Sequence, residues 1–394
     1  MDNLRAPEMD ERSTANDQGW GVRWPRYEEA ELGFRHYWYP VIESRRLRKR
    51  PRAVTLLGEK IVLVRASDGV HALNDRCPHR GVPLSLGRCV FSGMITCAYH
   101  GWTFDVTSGE LVAALTDGPD SPICGKPEVR VQTYPVEERV GLIWVYVGDE
   151  PRPPVEEDIP EDLLRSDAVV EPMVDLRPGN WRYAMENAVD EAHAKYLHRR
   201  SPFYMFNWFP GYQTDSRMEP AEDGKSMIRI SRPVFESAEY PRIGHWPPRQ
   251  FWKRGGTPKP GTVPVYPRRF WARLPAIFSI GHDSWHDYQM FVPVDEDRHL
   301  TLQVSVRWTR GIGAWLWRLR YWTYIRLIHH IMLNRWEDGP IVAAMDSPPE
   351  QLFRPDGAIV AWRRWCHENA RRAPCEVAGA YDVEPDARVV SGPR

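Results

Sequence analysis

The sequence predicts an α+β chain of two domains: a small all-β domain, then a larger one in which an antiparallel sheet is flanked by helices. Three observations predict it. Residues 31–150 break into short apolar runs such as AVTLLG, KIVLVRA and GMITCAY, separated by turn residues, as short antiparallel strands require. A proline- and acid-rich stretch, EPRPPVEEDIPEDL, follows and has the composition of a boundary. Beyond it, helical stretches at 180–200 and 311–336 bracket further strand-like runs, among them SMIRISRPVF, DYQMFVPV and HLTLQVSVRW.

In chain order, residues 1–30 are polar and acidic and are expected to form a mobile tail. They contain no apolar signal core and no twin arginine, which argues against a secretory leader. Residues 31–150 form the β domain, 151–375 the larger domain, and 376–394 a disordered tail. Between Ser201 and Pro264 the chain reads as irregular, with an aromatic run, SPFYMFNWFPGY, that could wall a pocket. A length of 394 residues exceeds one small domain. With 52 basic against 53 acidic residues, nothing favours a nucleic-acid partner. Eighteen Trp, sixteen Tyr and twelve Phe suit a large core and an apolar cavity. No stretch of eighteen apolar residues is long enough to span a membrane, and the six cysteines show no disulfide framework. A cytoplasmic location is expected.

The most specific signal is CPHRGVPLSLGRCVFSGMITCAYH: Cys77-x-His79, then Cys97-x-x-His100. Two thiolates and two imidazoles fit either a tetrahedral zinc ion or a two-iron, two-sulfur cluster with sulfur ligands on one iron and nitrogen ligands on the other. Zinc fingers commonly pair like with like, whereas each loop here brings one Cys and one His, so each can clamp both irons. Gly81, Gly87, Gly93 and Gly101 supply the tight turns.

A second constellation begins at Asn180, in NWRYAMENAVDEAHAKYLHRR. Its composition is helical, yet His193 and His198 are five apart, which rotates them about 140° from each other on a regular helix. The helix must therefore widen or end before His198 if both are to face one ion. Two histidines and one carboxylate with open positions form the ligand set of non-haem iron(II) oxygenases. The sequence offers Glu337, Asp338 and Asp346 as the carboxylate. Asp190, three residues before His193, lies on its helical face and can accept a hydrogen bond from the imidazole; Asn187 is placed to line the same site. His36, His71, Cys89, His282, His286, His299, His329 and His330 lack partners at familiar spacings and read as structural. The basic, aromatic segment 311–336 reads as a core helix positioning the carboxylate, in preference to a membrane-surface helix.

Residues 77–105, with HRG after the first pair and HGWTF after the second, resemble a Rieske iron–sulfur motif. Together with ENAVDEAHAKYLH and the acidic pair in NRWEDGPIVAAMD, the chain resembles the terminal oxygenase alpha subunits of Rieske non-haem iron aromatic-ring-hydroxylating oxygenases. ELGFRHYWYPV, LLGEKIVLVR and GAIVAWRRW look similar to the carbazole dioxygenase and 2-oxoquinoline monooxygenase group. The resemblance implies a larger domain of helix-grip, START-like form. It implies a [2Fe-2S] cluster on Cys77, His79, Cys97 and His100, and Fe(2+) on His193, His198 and Asp338. In the family the Asp matching Asp190 bridges the iron's His to a cluster His of the neighbouring subunit in a homotrimer. It also implies hydroxylation of an apolar, aromatic or heteroaromatic substrate with O2, as monooxygenase or dioxygenase, in aromatic-compound catabolism. The chain has no dinucleotide-binding G-x-G-x-x-G, so electrons would come from a ferredoxin, an NAD(P)H-dependent reductase, or both. Two rival readings are an electron-transfer subunit without a second metal and a zinc-bound interaction module.

Overall fold

The computed structural model describes residues 23–118, 120–198, 201, 214–233, 270–282, 284–345 and 350–372. Residues 1–22, the aromatic run after Ser201, Asp346, Cys375 and residues 376–394 lie outside the described residues.

The N-terminal part is all β. β1 (Tyr37–Glu43) pairs with β10 (Leu142–Val147), which pairs with β9 (Val136–Arg139). β2 (Arg52–Leu56), β3 (Glu59–Arg65), β4 (Val70–Asn74) and β8 (Thr133–Tyr134) form a second sheet, and β5 (Met94–Thr96), β6 (Trp102–Asp105) and β7 (Leu111–Ala114) a third. The third sheet, with the loops around it, builds on its own apolar cluster, in which Val62, Leu73, Leu84, Ile95 and Phe104 pack with Cys77 and Cys97. β1 and β10 belong elsewhere. Tyr39, Trp144 and Tyr146 share the main core with residues of the larger sheet such as Tyr288 and Met290, so one core runs beneath both parts. Each such fully buried side chain contributes about 1.5–3 kcal/mol.

The acidic connector is not a free linker. Val155, Ile159 and Leu163, four apart, are buried through short 3-10 turns. The buried Asp158 accepts from the backbone N–H of Trp38 at 2.9 Å and from Arg371 Nη1 at 2.8 Å. Composition alone concealed this anchoring.

The larger part is a seven-stranded antiparallel sheet in the order β11-β17-β16-β15-β14-β13-β12. Its strands are β11 (Ala168–Pro178), β12 (Thr214–Pro220), β13 (Ser226–Pro233), β14 (Phe270–Arg273), β15 (Ile277–Gly281), β16 (His286–Asp295) and β17 (Arg298–Trp308). β12 corrects the expectation of irregular chain after Ser201: it pairs with β13 residue by residue, from Thr214 with Pro233 to Pro220 with Met227. Polar alternation in TDSRMEP hid an edge strand.

Helices complete the second part: α1 (Trp181–Val189), α2 (Glu191–Leu197), α3 (Ile312–Arg320), a π-helix (Tyr321–Asp338), α4 (Gly339–Ala344) and α5 (Gly357–Asn369). The single α-helix expected at 311–336 is thus α-helical only in its first turns. The π-helix ends where the Gly339 N–H donates five residues back, to the Asn334 carbonyl. Among the described residues no helix is long and apolar enough to cross a membrane.

Candidate metal centres

The two loops of the cluster motif fold as near copies of one another. In the first, the Cys77 N–H donates to the Val82 carbonyl at 2.9 Å and the Gly81 N–H to the Cys77 carbonyl at 2.8 Å. In the second, the Cys97 N–H donates to the Trp102 carbonyl at 2.8 Å and the Gly101 N–H to the Cys97 carbonyl at 3.2 Å. Each loop closes on a glycine in the left-handed region, Gly81 at φ 76° and Gly101 at φ 68°, a conformation that side chains resist. Asp75 braces the first loop by accepting from the Ser85 N–H at 2.7 Å and from Ser85 Oγ at 2.6 Å.

These folds put the two thiols together inside and the two imidazoles together at the rim. Cys77 and Cys97 are buried and free of disulfides. His79 is exposed and His100 half-buried, with ring centroids 4.7 Å apart; His79 stacks on Trp102 at 4.7 Å. Burial and the adjoining Cys97 push the Cys77 thiol up to about 11. Two adjacent buried thiols resist ionisation unless a metal takes the charge. His100 Nδ1 is buried without a hydrogen-bond partner, as a nitrogen reserved for a metal would be. The four side chains therefore fit a cluster with sulfur donors inside and nitrogen donors outside.

The second centre lies where α1 breaks into α2. Asn180 caps α1, its Oδ1 accepting from the Arg182 N–H at 3.0 Å. The helix ends at Asp190, which turns extended at φ −74°, ψ 116°. Asp190 then starts α2 by accepting from the backbone N–H of Ala192 at 2.7 Å and of His193 at 3.1 Å. α2 stops at Leu197, so His198 follows the helix end, the second of the two geometries that the five-residue spacing required. Glu186, clamped by Arg363 at 2.8 and 2.9 Å and by the Tyr27 hydroxyl at 2.7 Å, fixes α1 against α5.

Asp338, the last residue of the π-helix, meets both imidazoles. Its Oδ1 lies 3.6 Å from His193 Nε2 and 3.1 Å from His198 Nε2, and the imidazole rings stand edge to face 5.5 Å apart. No neighbour is aligned to donate a hydrogen bond to that buried oxygen. Donor atoms about 2.1 Å from a shared ion and roughly at right angles lie about 3 Å from each other, so the spacing suits a cation between them. Burial would lower His198, yet Asp338 and Glu337 outweigh it and hold the imidazole up to about 9. An ion entering the site competes with that proton. Burial would likewise raise Asp190, but His193, 3.3 Å away through Nδ1, and the two backbone N–H donors hold it below the usual carboxylate range.

The alternatives to Asp338 separate cleanly. Glu337 contacts the other nitrogen of His198, Nδ1, at 2.7 Å. It thereby fixes which ring nitrogen faces Asp338, a role that adjacency of two acids in sequence could not reveal. Asn187 is buried beside Asp338; burial would raise the Asp338 carboxyl, but His198 above all, with His193 and Asn187, holds it below the usual carboxylate range and so favours its ionised form. Glu337→Gln is expected to keep the fold and reduce iron affinity about 10–100-fold, measured by chelator competition.

Of the histidines read as structural, His330 and His329 lie against the fully buried Asp287 of β16. His330 Nε2 is 3.0 Å from Asp287 Oδ1, which also accepts from Ser305 Oγ at 2.9 Å; His329 Nδ1 is 3.7 Å from Oδ2. Burial would raise Asp287, but these imidazoles hold it down to about 2. The wider turn of a π-helix narrows the angle between consecutive residues, so both reach one carboxylate. This tie fixes the helix that ends in Asp338. His299 is buried with Nδ1 2.7 Å from the Gly179 carbonyl, His71 pairs with Asp68, and Cys89 packs half-buried against the cluster lobe.

An N-terminal β lobe with a Cys2His2 cluster cradle, joined to a helix-covered sheet with a two-histidine, one-carboxylate site, defines an iron-dependent oxidoreductase with two separate metal centres. Comparison with known proteins makes this specific. Residues 37–135 match the family described as Rieske [2Fe-2S] domain, and residues 146–227 the family described as homotrimeric ring hydroxylase. The terminal oxygenase component of carbazole 1,9a-dioxygenase from a Sphingomonas species is 32% identical over 382 residues, 88% of this chain and 95% of that protein. The terminal oxygenase of carbazole 1,9a-dioxygenase from Nocardioides aromaticivorans IC177 superposes with TM-score 0.74 at 29% identity, covering 89% of this chain and 98% of that one. A fluorene-bound variant oxygenase in complex with the ferredoxin of carbazole 1,9a-dioxygenase gives TM-score 0.73 at 27% identity, covering 93% and 97%. The chain belongs to the Rieske non-haem iron oxygenases, as a terminal oxygenase component.

Proposed function

We propose that Cys77, His79, Cys97 and His100 hold the [2Fe-2S] cluster and that His193, His198 and Asp338 hold the mononuclear iron. The observation that carries the second assignment is the approach of one unpartnered buried Asp338 oxygen to the Nε2 atoms of both histidines. When bound, the cluster supplies single electrons and the mononuclear iron supplies reductive activation of dioxygen. The chain's own residues do the rest. Glu337 sets the His198 tautomer, and Asp190 stands 3.3 Å from the His193 ring while holding the start of α2. The residue division at about 150 separates the two functions.

The substrate is read as an aromatic or heteroaromatic compound, on the strength of relatives named for carbazole dioxygenation. A ferredoxin is the proposed electron donor, because similar oxygenases are described in complex with one. The description of the second matched family supports a homotrimer, closed head to tail so that each cluster faces the next chain's iron. The protein then acts in the cytoplasm, where thiolate ligands stay reduced.

Asp190 is the residue through which the two centres are joined in this reading. Asp190→Asn is expected to leave both centres loaded and to slow reoxidation of the pre-reduced cluster in a single turnover about 10–100-fold. An unchanged rate would reduce Asp190 to a helix cap.

A further inference from the structure

α3 packs on β11 by one face only. Trp317 is fully buried, its Nε1 donating to the Val169 carbonyl at 3.0 Å and its ring 5.8 Å from that of Trp285, with Ala314 alongside. The opposite face is apolar, where a surface helix is ordinarily polar. Ile312, Trp315, Leu316 and Leu319 are between 46 and 78% exposed. At about 100° per residue these four fall within an arc of about 100°, with the exposed Arg318 and Arg320 on either side of it. Trp322, two turns beyond Trp315 at the start of the π-helix, is exposed as well and continues the row. No acid occurs in residues 309–336.

A second feature lies beside this row. Residues 44–52, between β1 and β2, read SRRLRKRPR and contain no acid either. The buried Leu47 and the Arg65 guanidinium, which donates to the Leu47 and Ser44 carbonyls at 2.9 and 3.2 Å, pin the segment so that its cations face outward. Arg45 and Arg46 pair with Glu43 at 2.5 and 3.2 Å. Arg48, Lys49, Arg50 and Arg52 are exposed and form no ion pair among the described residues. Uncompensated cations so close together repel one another and attract an anionic neighbour. The two features touch: the Arg45 guanidinium lies 5.7 Å from the centre of the Trp322 ring.

We propose that this face docks on an anionic membrane surface, with the apolar row of α3 dipping into the headgroup boundary and the cations of residues 48–52 meeting lipid phosphates around it. An apolar helix face flanked by arginines lies naturally in the plane of a bilayer interface, where indole rings settle at headgroup level and guanidinium groups reach outward to phosphate. A second copy of the chain would bring the same cations and no acid to meet them. An acidic protein surface would answer the cations but not the apolar row set among them. Docking of this face is independent of the chemistry at the metal centres.

The test is co-sedimentation of the metal-loaded full chain with vesicles of phosphatidylcholine alone and of phosphatidylcholine mixed with phosphatidylglycerol. Binding to the mixed vesicles is expected to be about tenfold or more tighter than to the neutral ones and to weaken with added salt. Arg48→Gln, Lys49→Gln and Arg50→Gln combined should weaken it about a hundredfold, at about fivefold for each cation near an anionic surface. Trp315→Ser with Leu319→Ser should weaken it about tenfold or more. Both sets change exposed side chains, so the cluster spectrum and the unfolding temperature should stay as they are. Absence of binding, or equal affinity for the two kinds of vesicle, overturns the proposal. Binding that survives loss of the apolar pair is plain charge adsorption and overturns it as well. A smaller oligomer in Trp315→Ser with Leu319→Ser would give the row to another copy of the chain, and slower reduction of the cluster by a ferredoxin in vesicle-free solution would give it to a protein partner; either overturns the proposal. None of these results touches the oxygenase reading.

Discussion

Asp338→Ala is expected to abolish oxygenation, by roughly a thousandfold or more, while the cluster keeps its visible absorption. The carboxylate is the one anionic ligand of the proposed triad and the point where the two imidazoles meet, at 3.1 and 3.6 Å. Without it the remaining pair is two neutral donors whose rings no longer share a partner. Loss of an ion that supplies several kcal/mol of charge stabilisation corresponds to about three powers of ten at 1.4 kcal/mol for each. The lesion is local. Asp338 ends the π-helix, which stays tied to the sheet by His330 and Asp287 and by Arg177 on the Asn334 carbonyl. The check is iron per chain and product per reductant supplied, with the cluster spectrum as the control for folding. Retained iron with retained turnover would remove Asp338 from the site.

Cys77→Ser is expected to produce the reverse separation: no cluster spectrum, no labile sulfide and no reductase-driven turnover, with iron still bound by His193, His198 and Asp338. The hydroxyl is a poor substitute for a thiolate toward iron. It also puts an oxygen without an evident partner into the apolar cluster that Cys77 shares with Val62, Leu84 and Ile95. The cluster lobe should lose about 1–3 kcal/mol of stability from that burial alone. The main core, built on Trp144, Tyr288 and Met290, is separate and should hold the larger sheet in place. Two distinguishable lesions, one for each centre, exclude both a carrier with an inert second half and a zinc module.

How far the sequence alone reached depends on how local each feature is. The cluster motif was legible because ligands and glycines lie within one stretch of the chain, and the folded loops repeat the same hydrogen bonds around Cys77 and Cys97. The histidine pair was legible through a conflict: five-residue spacing forbade a regular helix, and the structure resolves it at Asp190 and Leu197. Choosing between Glu337 and Asp338 was a different matter. Adjacent acids point to different sides of a helix, and only the position of His198, far away in sequence, shows that one faces Nε2 and the other Nδ1.

Other features were invisible for physical reasons. The winding of Tyr321–Asp338 into a π-helix follows from nothing in its composition. The connector after β10 read as a linker because proline and acid dominate it, while three apolar residues four apart do the anchoring. The buried polar residues Gln289, Gln303 and Thr301 were hidden because they occur in strands that are otherwise apolar and buried, so their neighbours in sequence argued for plain core.

In the proposed assignment one chain carries two different iron centres, one bridged by sulfide and one not. The most direct measurement is the ratio of iron to acid-labile sulfide in the purified, reconstituted protein, taken together with zinc. About three irons for every two sulfides are expected, falling to about one for one in Asp338→Ala, with zinc absent. A ratio of about one in the unaltered chain, or zinc in place of iron, would contradict it.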